Sequence, residues 1–122
     1  MYDKSLVSDI IEDMITATKK IEKRCSKADC ADDFLQDEEG QILLDSICML
    51  LIAIGEAVKE IDKITNKTLL QKYPQIEWKK VAGMRDVLSH HYFDINAETV
   101  FSLCKNHIVP LKNTLETIYK NL

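Results

Sequence analysis

One eight-residue stretch of the chain concentrates the side chains that could do chemistry. Residues 85–92 read Arg-Asp-Val-Leu-Ser-His-His-Tyr. Arginine presents a planar fork of N–H donors that suits a phosphate, and histidine titrates near neutral pH and can transfer a proton. Arg85 and His90 are therefore a minimal set for cleaving a phosphodiester without a metal ion: one group removes the proton of a 2′-hydroxyl, and the other stabilises the phosphorane.

The spacing of these residues predicts how a helix would present them. At 100° per residue, Arg85 and Tyr92 lie nearly in line, whereas Arg85 and His90 point about 140° apart. Either the helix ends or distorts near His90, or a second subunit supplies half of the site. Asp86 lies four residues before His90, so we expect its carboxylate to reach the imidazole, orient it and stabilise its charged form. The alternative is a surface ion-pair network without catalytic function.

The rest of the chain predicts an all-α fold, a mostly antiparallel bundle of four or five helices. Three glycines and two prolines in 122 residues are too few turn formers for a β-sandwich or barrel, and the length predicts a single domain, 1–122. Apolar spacing predicts helices over residues 3–24, 36–62, a short piece over 66–73, a third long helix from about Gln75, and a last helix that follows an Asn96 N-cap, runs to the end and kinks at Pro110.

Two of these helices should carry most of the core. The first has one apolar stripe, formed by Leu6, Ile10, Met14, Ala17 and Ile21. The second is apolar nearly all round over residues 42–54, which predicts a central helix, a dimer interface, or both. Gly55 follows and permits close approach of a neighbouring backbone, and Glu56 is either a surface carboxylate or a partner of the site. On the last helix, His107 is expected to pack inward.

Charge and cysteine usage limit the functional classes. The net charge is −4, with −7 over residues 1–58 and +3 over residues 59–90, so the chain is not expected to bind DNA or RNA non-specifically, although local phosphate contact remains open. Of the four cysteines, Cys48 and Cys104 should be core residues, and Cys25 and Cys30 flank a polar turn where a redox role is an alternative. The longest apolar run has eight residues, far short of the roughly 20 of a membrane span, and with no signal peptide we expect a cytoplasmic protein.

Three ordered sequence elements resemble a known family. Arg85, His90 and Tyr92 match the R-x4-H-x-Y signature of the HEPN superfamily. Residues 54–57 (I-G-E-A) resemble an element of its second helix, and residues 74–78 with 81–85 resemble its P-x-I-x-W…AGMR approach to the signature. More narrowly, the chain resembles HepT, the toxin half of the HepT–MntA toxin–antitoxin pairs of bacteria and archaea, from about residue 34 to the end.

The resemblance implies a metal-independent endoribonuclease without a cofactor, built as a homodimer whose two motifs face each other in a cleft. By motif, Arg85 would stabilise the scissile phosphate, His90 would act as general acid or base, and Asp86 would hold His90. Glu56 would support the site. Tyr92 would be the tyrosine onto which an MntA-type minimal nucleotidyltransferase transfers AMP from ATP to silence the toxin, because a bulky anion beside Arg85 would repel RNA.

The sequence leaves alternatives for the other residues of the motif and for the function. Ser89 occupies a variable position, and His91 is expected to be a bystander. The acidic first half of the chain favours a selected RNA such as tRNA, or a basic partner, over broad RNA affinity. Two other functions compete with the ribonuclease toxin: a non-catalytic companion subunit of a nucleotidyltransferase whose Arg85 holds a nucleotide phosphate, and a helical dimer in which the Arg85 network serves stability only.

Overall fold

The computed structural model describes residues 2–122 and confirms the predicted all-α class. Over these residues it contains five α-helices, three short 3₁₀ turns and no strand. The helices are α1 (Lys4–Cys25), α2 (Glu38–Thr65), α3 (Trp78–His90), α4 (Ala97–Asn106) and α5 (Ile108–Asn121), and the 3₁₀ turns span Ala31–Phe34, Leu70–Lys72 and Tyr92–Asp94.

Side-chain caps fix where three of the helices begin. The carboxylate of Asp3 accepts a hydrogen bond from the Leu6 N–H, and that of Asp37 accepts one from the Gly40 N–H. Asn96 caps α4 as predicted, since its side-chain oxygen accepts from the Thr99 N–H at 3.1 Å. Each cap satisfies a backbone donor that would otherwise lack a partner in the first turn, so the polar residue before each apolar segment determines the start of the helix.

Helix α2 forms the centre of the bundle, with α1 and α3 packed against it. Helix α5 pairs with α1, where the Lys112 ammonium lies 2.8 Å from Glu22 and the Tyr119 hydroxyl lies 3.0 Å from Glu12. Because the later residue on α5 meets the earlier residue on α1, these two helices are antiparallel. The buried side chains of all the helices form one continuous apolar core, which leaves α3 at the edge of the bundle, resting mainly on α2.

The predicted single last helix is two helices. The chain breaks at His107, where φ is −120° and ψ is −22°. Pro110 then lies in the first turn of α5, where its missing N–H needs no intrahelical acceptor, so the chain breaks three residues before the proline instead of kinking at it. The break also explains why His107 is exposed, contrary to the prediction that it packs inward.

Two apolar surfaces differ from the predicted pattern. Near the start of α1 the buried residues are Val7 and Ile11, whereas Leu6 is exposed and Ile10 is only partly buried. Helix α2 is not buried on every side, since Ile42 and Met49 are 60% and 67% exposed.

Helix α2 is long and apolar enough to cross a membrane by length and composition alone, a test that the core helix of a bundle also passes. The predicted cytoplasmic location stays a prediction.

Candidate active site

Gly55 sets the distance between the helix that carries the motif and the centre of the bundle. A Cβ atom at this position would lie 2.9 Å from the Arg85 Cβ, 3.0 Å from the Val81 carbonyl oxygen and 3.1 Å from the Arg85 nitrogen. Only a residue without a side chain allows α2 and α3 to approach this closely. The predicted close approach at Gly55 is confirmed, and the backbone that approaches is that of Arg85 itself.

Arg85 extends from this contact into a small network of charges. Its guanidinium forms an ion pair through Nε with Glu56, and Nη1 lies 2.9 Å from the Asp86 carboxylate. Lys59 contacts the same carboxylate at 3.2 Å. The hydrogen bonds that Arg85 donates to Asp86 and then to Glu56 raise the pKa of Arg85, while the hydrogen bonds that Asp86 accepts from Arg85 and then from Lys59 lower the pKa of Asp86. Arg85 and Asp86 therefore stabilise each other's charged forms, and the network joins two basic side chains to two acidic ones.

This network corrects the predicted pairing of Asp86 with His90. The Asp86 carboxylate turns toward α2, and residues 2–122 contain no hydrogen bond or salt bridge between Asp86 and His90. The physical reason is competition: two cations, Arg85 and Lys59, stand closer to the carboxylate than the imidazole does. Sequence reasoning missed Lys59, although its position three residues after Glu56 puts both on one face of α2.

His90 is the last residue of α3, and its side chain is exposed on a different side of the helix from Arg85. The helix ends here because His91 leaves helical geometry, at φ −121° and ψ 35°. The predicted divergence of Arg85 and His90 therefore remains within one chain, since the structure does not bring the two side chains together. The catalytic roles of both residues stay predictions.

Tyr92 lies in the 3₁₀ turn after α3 and is 50% exposed. Its hydroxyl faces Asp45 on α2, and this carboxylate raises the pKa of Tyr92 by hydrogen bonding and by repulsion of the phenolate. Arg85 meets Glu56 and Tyr92 meets Asp45, so α3 runs antiparallel to α2. Sequence reasoning did not single out Asp45, although it is the one charged residue within the apolar run 42–54.

The four cysteines are the other potentially reactive groups. Three cysteines, Cys25, Cys48 and Cys104, are buried, Cys30 is exposed, and all four are free thiols. Burial, followed by repulsion from Asp45, raises the pKa of Cys48 to about 11, so the predicted core role of Cys48 is confirmed. Residues 2–122 contain no group of three or more His, Cys, Asp or Glu arranged to hold a metal ion.

Comparison with known proteins assigns this helical bundle to a class. The family model described as "Ribonuclease HepT-like" matches residues 14–118. Two relatives from Methanocaldococcus jannaschii bear the names "Putative RNase MJ1216" and "Putative RNase MJ0127". The first is 34% identical over 98% of this chain and 88% of its own length, and the second is 36% identical over 75% of this chain and 69% of its own.

A third relative bears the name HepT itself. The Thermococcus cleftensis protein named "Probable ribonuclease HepT" is 32% identical over 92% of this chain and 94% of its own length. No solved structure matches the chain significantly. Since the family model spans most of the chain, this protein belongs to the HepT-like ribonuclease family, and the resemblance inferred from the three sequence elements is confirmed.

Proposed function

We propose that this protein is a metal-independent endoribonuclease that uses Arg85 and His90 in a cleft between two subunits. The observation that carries the proposal is the position of Arg85. Its side chain is 38% exposed, and its guanidinium is held and neutralised by Glu56 and Asp86. A phosphate diester can replace a carboxylate on this fork, because guanidinium binds both by the same paired geometry.

The proposed reaction uses the 2′-hydroxyl of the RNA as nucleophile. A base, His90 in one protonation state, removes the 2′-hydroxyl proton, and the oxygen attacks the adjacent phosphorus. The bond from phosphorus to the 5′-oxygen breaks, the leaving oxygen takes up a proton, and the products carry a 2′,3′-cyclic phosphate and a 5′-hydroxyl. Arg85 stabilises the negative charge that gathers on the phosphorane. No step requires a metal ion.

The exposure of α2 supports the proposed homodimer. Ile42 and Met49 leave an apolar surface uncovered on the same helix that carries Glu56 and Asp45. A two-fold axis through this surface brings the two α3 helices toward each other. Arg85 of one protomer can then act with His90 of its partner, which removes the problem that the two side chains diverge within one chain.

Active-site complementation tests this arrangement. Arg85→Ala and His90→Ala, each inactive alone, are mixed, exchanged as subunits and assayed on RNA in the presence of EDTA. A mixed dimer with a composite site regains part of the parental activity. Activity absent from the mixture, with subunit exchange verified by mass, contradicts a site shared between subunits. Absence of cleavage by the parent on a broad RNA panel that includes tRNA contradicts the nuclease itself and favours the companion-subunit alternative.

We also propose that the protein is a cytoplasmic toxin silenced by AMPylation of Tyr92 by a minimal nucleotidyltransferase. Tyr92 is half-exposed and lies seven residues after Arg85 and two after His90, so an enzyme can reach its side chain and the added phosphate would repel RNA. The test is mass analysis after incubation with ATP and the nucleotidyltransferase. One AMP on the parent and none on Tyr92→Phe is expected, and an equally modified Tyr92→Phe contradicts the assignment.

A further inference from the structure

Lys59 joins the charge network around Arg85 through a single residue. Its ammonium lies 3.3 and 3.2 Å from the two oxygens of the Asp86 carboxylate, and the described residues show no other hydrogen bond or salt bridge of this ammonium. The side chains of Lys59 and Asp86 are 43% and 49% exposed. An ion pair this exposed contributes little to stability, so its main consequence is its effect on Asp86.

The two carboxylates on Arg85 differ in what each would lose on leaving it. Glu56 contacts Nε of the guanidinium, and within residues 2–122 it has no second partner. Asp86 contacts Nη1 at 2.9 Å and also has both oxygens on Lys59. Displacing Glu56 would therefore leave a carboxylate without a cation, whereas displacing Asp86 leaves an ion pair intact. Asp86 is the carboxylate that can leave at the lower cost in free energy.

Asp86 also occupies the part of the guanidinium that a phosphate would use. A phosphate bound in the paired geometry bridges two neighbouring N–H donors. Glu56 occupies Nε, so the pair that remains is Nη1 and Nη2, and Asp86 is bonded to the first of these two nitrogens. A phosphate that binds Arg85 while Glu56 still orients it must therefore take the place of Asp86.

The close packing of α2 and α3 keeps Lys59 within reach of Asp86. The two helices are in contact at Gly55, where a Cβ atom would lie 3.0 Å from the Val81 carbonyl oxygen and 3.1 Å from the Arg85 nitrogen. Because these are backbone atoms, the contact does not depend on what the Arg85 guanidinium binds. Lys59 lies about one helical turn after Gly55, and Asp86 directly follows Arg85. The backbones that carry the ion pair are therefore held together on both helices.

We propose that Lys59 is a positioning residue of the phosphate site, which retains the Asp86 carboxylate when the scissile phosphate displaces that carboxylate from Arg85. The proposal rests on the proposed ribonuclease function and names the group that makes room for the RNA. Without Lys59, Asp86 would have Arg85 as its only partner in the network and, once displaced, would repel the phosphate beside it. With Lys59, the displaced carboxylate stays paired, and Glu56 keeps the guanidinium oriented.

The test is a double-mutant cycle on the affinity for RNA, measured so that it does not depend on cleavage. Fluorescence anisotropy reports the Kd of a panel of labelled oligoribonucleotides, which are 2′-O-methylated to prevent attack by the 2′-hydroxyl. Lys59→Ala should raise Kd about three- to fivefold, the upper range for an exposed ion pair. Asp86→Asn should lower Kd, because it removes the competing charge. In the Asp86→Asn background, Lys59→Ala should change Kd by less than about twofold.

Three further variants separate positioning from packing and from a general effect of charge. Lys59→Arg keeps the cation and should match the parent, whereas Lys59→Met keeps only the aliphatic stem and should behave like Lys59→Ala. Lys20→Ala removes an exposed lysine from α1 and should change Kd by less than about twofold. Circular dichroism verifies that each variant is folded.

Three results would overturn the proposal. The first is a folded Lys59→Ala protein that binds RNA as tightly as the parent. The second is a rise in Kd for Lys59→Ala that is equal with and without Asp86→Asn, which would mean that Lys59 contacts a phosphate directly. The third is a rise in Kd for Lys20→Ala as large as that for Lys59→Ala, which would make the loss a general effect of charge.

Cleavage assays on unmodified RNA distinguish failure of this inference from failure of the proposed function. If the parent cuts RNA and Lys59→Ala leaves Kd unchanged, the positioning role fails and the nuclease stands. If the parent binds RNA with the expected dependence on Lys59 and Asp86 but never cuts, the nuclease fails and the positioning role stands. A parent that neither binds nor cuts overturns both.

Discussion

Substitution of Gly55 by alanine perturbs the site by a single methyl group. The new Cβ would meet three atoms of α3 at 2.9–3.1 Å, namely the Arg85 Cβ and nitrogen and the Val81 carbonyl oxygen. None of these atoms is the mobile end of a side chain, so α3 must move away from α2 by a few tenths of an ångström. Gly83 is the matched control, since a Cβ there would meet no atom within 4 Å and it also lies within a helix.

The magnitudes follow from two opposing contributions. Alanine is better than glycine in a helix interior by about 0.8–1 kcal/mol, and this benefit applies at both positions. Forcing an extra methyl group into a close-packed contact costs about 1–3 kcal/mol, and this cost applies only at Gly55. We expect Gly83→Ala to raise the free energy of unfolding by about 0.5–1 kcal/mol and Gly55→Ala to lower it by up to about 2 kcal/mol.

Thermal unfolding and RNA cleavage together measure the effect. A difference of about 2 kcal/mol separates the two melting temperatures by roughly 8 °C for a chain of this size. At a temperature where both variants are folded, Gly55→Ala should also lose kcat, because the shift moves Arg85 away from Glu56, whereas Gly83→Ala should match the parent. A Gly55→Ala protein that melts at or above Gly83→Ala, with full activity, refutes this account of α2–α3 packing.

Two further perturbations test the charges and the thiols. Glu56→Gln removes one carboxylate that competes with RNA for Arg85, so steady-state kinetics should show a lower KM for RNA, together with a lower kcat because Arg85 is less well oriented. Glu60→Gln, on the same helix, is the control and should match the parent. An unchanged KM for Glu56→Gln contradicts the competition. Burial raises the pKa of Cys48 from 9.0 to about 11, so the fold favours the neutral thiol and the free energy of unfolding should fall as pH rises from about 9 to 11. At about pH 9.5 a thiol reagent should modify Cys30 rapidly and Cys48 only on unfolding. Rapid modification of Cys48 in the folded protein would contradict the burial of this thiol.

The fold class could be predicted because its determinants are local. Apolar periodicity predicts the long helices. Asn96 marks the start of α4 because its side chain caps the N–H of Thr99, only three residues along the chain. The errors arose where distant contacts decide. Leu6 and Val7 are both apolar, and only the packing of α1 against the rest of the core determines that Val7 is the buried one.

The candidate site was predictable in its residues and unpredictable in its pairings. The sequence allows Glu56 to be a surface carboxylate or a partner of the site, and in the structure it forms an ion pair with Arg85. Helical spacing predicts that Asp86 pairs with His90, but in the structure Asp86 forms ion pairs with Lys59 and Arg85. The i, i+4 rule considers contacts within one helix only. Whether Lys59 reaches Asp86 depends on how closely α2 approaches α3 at Gly55, and the spacing of residues along α3 does not determine that tertiary contact.

The central claim is that Arg85 and His90 cut RNA without a metal ion. The most direct measurement compares cleavage of an RNA panel that includes tRNA by the parent and by His90→Ala, both in excess EDTA, with circular dichroism and sedimentation to show that the two proteins share fold and oligomeric state. The account predicts that the parent cuts and leaves 2′,3′-cyclic phosphate ends, while His90→Ala is slower by at least about 100-fold. A folded His90→Ala protein that cuts as fast as the parent, or a parent whose cleavage stops when the chelator is added, would contradict it.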